Sequence, residues 1–171
     1  PAVTVQHNRA RTDAPDEFYE TRVERDIEGN ERAVFDALGR CVMRYDYDML
    51  GRAIRSASID AGARRTLHDV AGEPVLSWDS RGHCVRTVYD ALRRPTEVRV
   101  GLPAGDEILA ERTLYGESLT QELGPHGVAR RNLRGVAYRV YDGAGLQTTE
   151  ACDAKGNILS ASRRLAKDPG G

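Results

Sequence analysis

Residues 35–52 read FDALGRCVMRYDYDMLGR, and this stretch contains the pattern that decides the fold. At positions 35–39 and again at 47–51, an aromatic residue and an aspartate precede two variable residues and a glycine. The aspartate can accept a hydrogen bond from a backbone N–H two residues later, and the glycine can adopt the positive φ that closes a tight turn. Residues 41–47 alternate between the turns as a half-buried strand does. The stretch therefore predicts turn, strand and turn.

The same phrase recurs along the chain, at spacings of 10 to 12 residues in most cases, as from position 26 to 36 and from 36 to 48. A unit of this length is one strand plus one tight turn. Residues 89–93 form a variant that lacks the glycine, and residues 59–62 supply a degenerate turn within the longer gap between positions 48 and 69. The residues assigned to structural turns are Asp26, Gly29, Asp36, Gly39, Asp48, Gly51, Asp69, Gly72, Asp79, Gly82, Asp142, Gly145, Asp153 and Gly156. We predict an all-β protein of antiparallel β-hairpin repeats that form a curved sheet.

The repeats divide the chain into five regions. Residues 1–18 are polar and are predicted as an extended lead-in, residues 19–100 and 136–165 as two repeat arrays, and residues 166–171 as a tail. Residues 101–135 break the pattern and are predicted as an irregular or helical insertion. Within it, residues 107–115 fit a strand or a helix, and a short helix is expected on either side of Gly124-Pro125, the second over 128–133 and stopped by Gly135.

Composition favours a thin sheet and excludes some classes of function. Of the 171 residues, 6% are aromatic and 30% are charged, and the net charge is -1. Because basic and acidic residues are interleaved, nothing in the overall balance calls for nucleic acid or an anionic membrane. The sequence contains no run of 18 apolar residues, so no membrane-spanning helix is predicted. The three cysteines, Cys41, Cys84 and Cys152, are expected to be buried small hydrophobes rather than a disulfide framework.

The sequence carries no convincing catalytic, metal or cofactor motif. His83 and Cys84 are neighbours, so on a strand they point to opposite faces. Gly143-Ala144-Gly145 precedes a strand pattern rather than a helix, which argues against nucleotide binding. The aspartates are explained as turn acceptors rather than as catalytic pairs. We therefore expect no enzyme activity and no cofactor.

The aromatic residues leave two interpretations open. They would form either cross-strand ladders between neighbouring hairpins or a stacking surface for sugars. Their recurrence beside the turns favours ladders. The residues concerned are Tyr45, Tyr47, Trp78, Tyr89, Tyr138 and Tyr141.

The phrases at residues 35–40, 47–52, 89–94 and 141–145 closely resemble the Tyr-Asp repeat of the RHS family, which includes bacterial polymorphic toxins and the B and C components of insecticidal toxin complexes. The resemblance covers roughly residues 23–100 and 136–165. It implies a segment of a β-shell that encloses a toxin cargo, exported by a bacterium. The expected partners are the remainder of a longer RHS chain or a companion toxin-complex subunit, together with the cargo.

Two departures limit this resemblance. The family's terminal cleavage motif is not found, since Asp168-Pro169 shares only the Asp-Pro step with it, and the repeats are too few for a closed shell. We therefore expect the sequence to be a piece of a longer protein. The alternative function is an extracellular module that binds glycans or proteins through exposed aromatic and arginine side chains.

Overall fold

The computed structural model describes residues 2–9, 15–101, 103 and 105–167. The described residues form β-strands in chain order, and consecutive strands are neighbours in the sheet. One helical segment interrupts the strands. The predicted all-β fold with a short helical insertion is thus confirmed. The chain divides into two compact units, Pro1–Cys84 and Val85–Gly171.

The first unit is a meander of sequential antiparallel hairpins. Residues 2–8, predicted as part of the extended lead-in, pair with residues 17–23, so the sheet begins before the first aspartate phrase. Its strands are β1 (Ala2–Asn8), β2 (Glu17–Arg25), β3 (Glu31–Phe35), β4 (Cys41–Tyr47), β5 (Ala53–Ser58), β6 (Gly62–His68) and β7 (Pro74–Asp79).

The sheet of the first unit is a single layer. Among its described residues, the one buried hydrophobic side chain is Ala33, which is 3% exposed. Its strands contact their sequence neighbours, and the part of this unit that the structure describes contains no helix. Met43 and Tyr45 lie on one face of β4 and are only half-buried. This partial burial is expected when no second layer covers the sheet.

The second unit begins within the eighth strand and contains the helical insertion. Residues 107–115 form a strand that pairs with Pro95–Gly101 and Ala137–Asp142, so the choice between strand and helix for this segment is decided in favour of a strand. The strands are β8 (Cys84–Tyr89), β9 (Pro95–Gly101), β10 (Glu107–Tyr115), β11 (Ala137–Asp142), β12 (Gly145–Cys152) and β13 (Ile158–Leu165).

The helical segment consists of a 3-10 helix, Gly116–Leu119, and an α-helix, α1 (Thr120–Arg130), with non-helical dihedrals at Gly124. The prediction of a helix over 128–133 is corrected, because α1 ends at Arg130. Asn132 adopts a left-handed φ of 51°, its N–H donates to the Ala129 carbonyl, and the Leu133 N–H donates to the Val128 carbonyl. This pattern is a Schellman motif, so the helix stops five residues before Gly135.

A small core lies where the helical segment packs on the second unit's sheet. Leu133 is fully buried, and Leu119, Val128 and Tyr138 surround it with exposures of 7%, 3% and 6%. The half-buried Leu123 packs against this cluster. The insertion therefore forms a second layer on the sheet of the second unit.

Candidate functional site: the aspartate turns and the helical insertion

Most of the aspartate phrases form a hairpin turn with one hydrogen-bond pattern, illustrated by Asp48. Its N–H donates to the Arg52 carbonyl at 3.0 Å, and the Gly51 N–H donates to the Asp48 carbonyl at 3.1 Å. Oδ1 of Asp48 accepts from the N–H groups of Leu50, at 2.9 Å, and Arg52, at 3.0 Å. Gly51 has a φ of +74°, a left-handed conformation that side chains with a Cβ disfavour. The carboxylate and the glycine are thus both part of the hydrogen-bonded geometry of this turn.

The same backbone arrangement occurs at the other five-residue turns. In the variant without glycine, Arg93 takes the left-handed conformation with a φ of 62°. Hydrogen bonds of this design are found at Asp26, Asp36, Asp69, Asp79, Asp90 and Asp153. The glycines that close them, all with positive φ, are Gly29, Gly39, Gly72, Gly82 and Gly156.

The residue after the glycine position is a third member of the turn, which the sequence analysis missed. Nε of Arg40, Arg52 and Arg94 donates to Oδ2 of the aspartate four residues earlier, at 2.8, 2.6 and 2.8 Å. Asparagine takes this place at positions 30 and 157. The repeated arginine that ends the phrases at residues 35–40, 47–52 and 89–94 was the signal available in the sequence.

These contacts hold the turn carboxylates in their ionised form. The Arg40 guanidinium holds the pKa of Asp36 below its usual value. At Asp48 and Asp90 the largest cause of the lowered pKa is the backbone N–H of Arg52 and of Arg94, with the guanidinium adding to it. The turn aspartates are therefore acceptors and not proton donors near neutral pH.

Two turns depart from the common design. Asp142 pairs directly with Gly145, so the phrase at 141–145 makes a two-residue turn, and the Asp142 carboxylate binds Nη2 of Arg163 at 2.9 and 2.8 Å. At the degenerate turn, Ser58 Oγ takes the aspartate's role and accepts from the N–H groups of Asp60 and Ala61, each at 3.3 Å. Gly145 has a φ of +133° and is the residue that pairs with Asp142, so it is the first residue after this shorter turn.

Within the second unit, a charged network around Glu117 connects the helical insertion to neighbouring strands and turns. Its Oε1 accepts from the Gly135 N–H at 2.6 Å, and its Oε2 accepts from Nη1 of Arg94 at 3.2 Å. The Arg94 guanidinium lies 3.9 Å from the centre of the Tyr115 ring. Burial raises the pKa of Glu117, but the N–H groups of Glu117 and Gly135 and the Arg94 guanidinium hold that pKa below its usual value. One turn arginine therefore connects a hairpin, a strand and the insertion.

The residues considered as candidates for catalysis or metal binding lie apart from one another or form part of the turns. His83 Nδ1 lies 3.4 Å from Asp79 Oδ2, so this histidine occupies the third turn position rather than pairing with Cys84. Cys41 and Cys84 are half-buried free thiols, and Cys152 is buried. Within the described ranges, no three metal-binding side chains come together. No helix in that part of the chain is both long enough and apolar enough to cross a bilayer.

The repeat aromatics differ in how far they are covered, and Trp78 and Tyr141 are 36% and 39% exposed. Tyr138 is buried, while Tyr45, Tyr47 and Tyr89 are half-buried. The Tyr45 and Tyr47 rings are tilted by 38° with centroids 6.5 Å apart, and the Tyr47 hydroxyl donates to the Glu31 carbonyl. The hydroxyl contact joins β4 to β3, whereas the two rings are neighbours on one strand, so the ladder interpretation remains a prediction.

Solved structures share this fold of sequential antiparallel hairpins with one short helical insertion, which agrees, at the level of the fold, with the resemblance predicted from the sequence. The chain is similar to the crystal structure of TcdB2-TccC3-TEV, with a TM-score of 0.84 and 24% identity over 96% of this chain and 8% of that chain. TcdB2-TccC3 without its hypervariable C-terminal region matches with a TM-score of 0.83 at 24% identity, again over 96% and 8% of the two chains.

A third similar structure is the Tc holotoxin pore of Photorhabdus luminescens, with a TM-score of 0.82 and 24% identity over 98% of this chain and 8% of that chain. The chain thus spans about 8% of the length of the chains that it matches. No protein-family model and no curated protein matches the chain.

Proposed function

We propose that this chain is a segment of an RHS-type shell wall that encloses a toxin cargo and helps to deliver it. The observation that carries the proposal is the succession of antiparallel strands in which each strand pairs with its sequence neighbour. The similarity to TcdB2-TccC3, at 24% identity, supports the same fold. The cargo, export from a bacterium and the role in delivery are part of the proposal, because the match covers 8% of those chains.

The energetics of the sheet agree with a wall more than with a self-contained globule. The first unit has one buried hydrophobic residue among those described, so interstrand hydrogen bonds and cross-strand contacts supply most of its stabilisation. Strands β1 and β13 each have one neighbour in the strand order. Their outer N–H and C=O groups are templates for further pairing. We propose that the remainder of a longer RHS chain, or a companion toxin-complex subunit, pairs there.

The turns have a structural role in this proposal. The aspartate, the glycine and the following arginine set the direction of each hairpin, and the described turns use these groups for backbone hydrogen bonds. The adhesion-module alternative receives less support, because Tyr138 is buried and Tyr45, Tyr47 and Tyr89 are half-buried, which leaves only Trp78 and Tyr141 exposed among the six described repeat aromatics.

Sedimentation velocity of the purified chain tests the proposal. Open edges predict self-association that grows with protein concentration. Leu159→Lys places a charge on β13, where the leucine is 68% exposed, and should weaken this association. Leu67→Lys is the matched control, because that leucine is 53% exposed on the interior strand β6 and should leave association unchanged. A strictly monomeric chain, or equal effects of the two variants, would contradict the proposal.

A further inference from the structure

On one face of the first unit's sheet, several charged residues and one tryptophan lie directly opposite one another on neighbouring strands. Asp46 lies opposite Arg55, Arg55 opposite Arg65, and Arg65 opposite Trp78. Directly opposite residues of an antiparallel pair share a face, and so do residues two apart on one strand. Arg44, two residues before Asp46, therefore lies on the same face. We call Arg44, Arg55, Arg65 and Trp78 the arginine face.

The positive charge of this face is only partly compensated. Asp46 accepts from Nη1 of Arg55 at 3.0 Å and lies 3.8 Å from Nη2 of Arg32. Within the described ranges, the side chains of Arg44 and Arg65 form no hydrogen bond or ion pair. Nε of Arg55 is buried without a hydrogen-bond partner there. A buried donor without an acceptor costs free energy, so this face has an unused site for an anion.

The register adds a second cost that an anion would relieve. Arg55 and Arg65 are directly opposite on neighbouring strands, and like charges in that position repel. A carboxylate placed over the two guanidinium groups would convert this repulsion into charge-assisted hydrogen bonds.

Space for such a group lies beside Arg44. A cleft of about 430 Å³ is lined by Glu24, Arg25, Arg32, Ala33, Arg44, Asp46 and Arg55. Ala33 and Ala57 are the residues opposite Arg44 on its two neighbouring strands, and Ala33 lines the cleft with a small side chain. The carboxylate of Glu24 lies 3.2 Å from Nη2 of Arg22, which offsets its charge. The cleft therefore keeps a net positive lining.

We propose that the arginine face binds a carboxylate-rich, extended segment of another polypeptide. Separate carboxylates can each engage one guanidinium in the bidentate geometry that arginine favours, while the segment's backbone crosses the alanines. The acidic residues at positions 24 and 46 repel the continuous negative charge of a nucleic acid. The chain's net charge of -1 provides no general attraction for a polyanion. The inference concerns the chain's own sheet face and does not depend on the shell proposal.

Fluorescence anisotropy of a labelled peptide of alternating glutamate and glycine, titrated with the full chain, tests the inference. We expect saturable binding that weakens as salt rises, and no binding of the same peptide with glutamine in place of glutamate. Trp78 is the chain's single tryptophan, so its emission should change as the glutamate peptide binds next to Arg65.

The variants Arg44→Gln and Arg65→Gln should each weaken binding about tenfold, the loss expected for a charge-assisted hydrogen bond. Arg64→Gln is the matched control. Arg64 is also exposed, lies next to Arg65 on β6 and is on the opposite face, so its loss should change the affinity less than twofold. Circular dichroism establishes that each variant is folded, which is expected because all three side chains are exposed.

Three results would overturn the inference. The first is absence of glutamate-peptide binding to the folded chain at low salt. The second is an equal loss of affinity in Arg64→Gln and Arg65→Gln, which would indicate non-specific attraction. The third is tighter binding of an oligothymidylate of equal charge than of the peptide, which would assign the face to phosphate.

Discussion

Replacement of Leu133 by alanine removes the centre of the core that the helical insertion forms. Leu133 is 0% exposed and is surrounded by Leu119, Val128 and Tyr138. The substitution deletes three buried carbons, each contributing about 0.8 kcal/mol, and leaves a cavity that adds to the loss. We expect the free energy of unfolding to fall by about 3 kcal/mol. Because the second unit has few other buried side chains, the surroundings have little with which to refill the space.

Urea unfolding at 25 °C, followed by circular dichroism, measures this loss. With a denaturant dependence of about 2 kcal/mol per molar urea, the midpoint should fall by about 1.5 M. Leu92→Ala is the control, because Leu92 is 68% exposed in a turn and its truncation should cost less than about 0.5 kcal/mol. A loss below about 1 kcal/mol in Leu133→Ala, or an equal loss in the control, would refute the view that the insertion supplies the second unit's core.

Three further predictions concern the turns and the attachment of the insertion. Gly116→Ala should cost about 2–3 kcal/mol in urea unfolding, because a Cβ at this buried position would overlap the backbone carbonyl of Leu133; a neutral effect would contradict this packing. Gly51→Ala should cost about 1 kcal/mol through its left-handed φ alone, since nothing lies within 4 Å of the added Cβ, whereas Leu50→Ala in the same turn should be nearly neutral. The folded-state pKa of Asp48 is lowered from 3.8, so its stabilisation is present above that pH and is lost as the pH falls through the lowered value. Urea midpoints should therefore decline below about pH 4, and a midpoint that does not change between pH 6 and pH 2.5 would rule out the ionised-turn account.

The sequence predicts the hairpin array well because its signals are local. The aspartate and glycine of each phrase are at most four residues from the backbone groups that they serve, so side-chain type and spacing suffice to place turns such as the one at Asp48. The strand pattern of residues 41–47 follows from alternation alone. The structural role of these turn residues remains a prediction for the substitutions above to test.

The parts that sequence reasoning missed depend on contacts outside such short windows. Residues 2–8 become a strand because they pair with residues 17–23, which no local pattern revealed. Residues 107–115 fit two periodicities until pairing with β9 and β11 decided for a strand. The early end of α1 results from the left-handed conformation of Asn132, which asparagine tolerates better than most residues. The arginine face needed the register of four strands before its members could be placed together.

Hydrogen–deuterium exchange of the chain at low concentration tests most directly the claim that the sheet is a wall with open edges. The account predicts slow exchange throughout β4 and β5, whose amides have partners on both sides. It predicts fast exchange of alternate amides in β13, those that point away from β12, and their protection when further repeats of a parent chain follow. Slow exchange of all β13 amides in the monomeric chain would contradict the account.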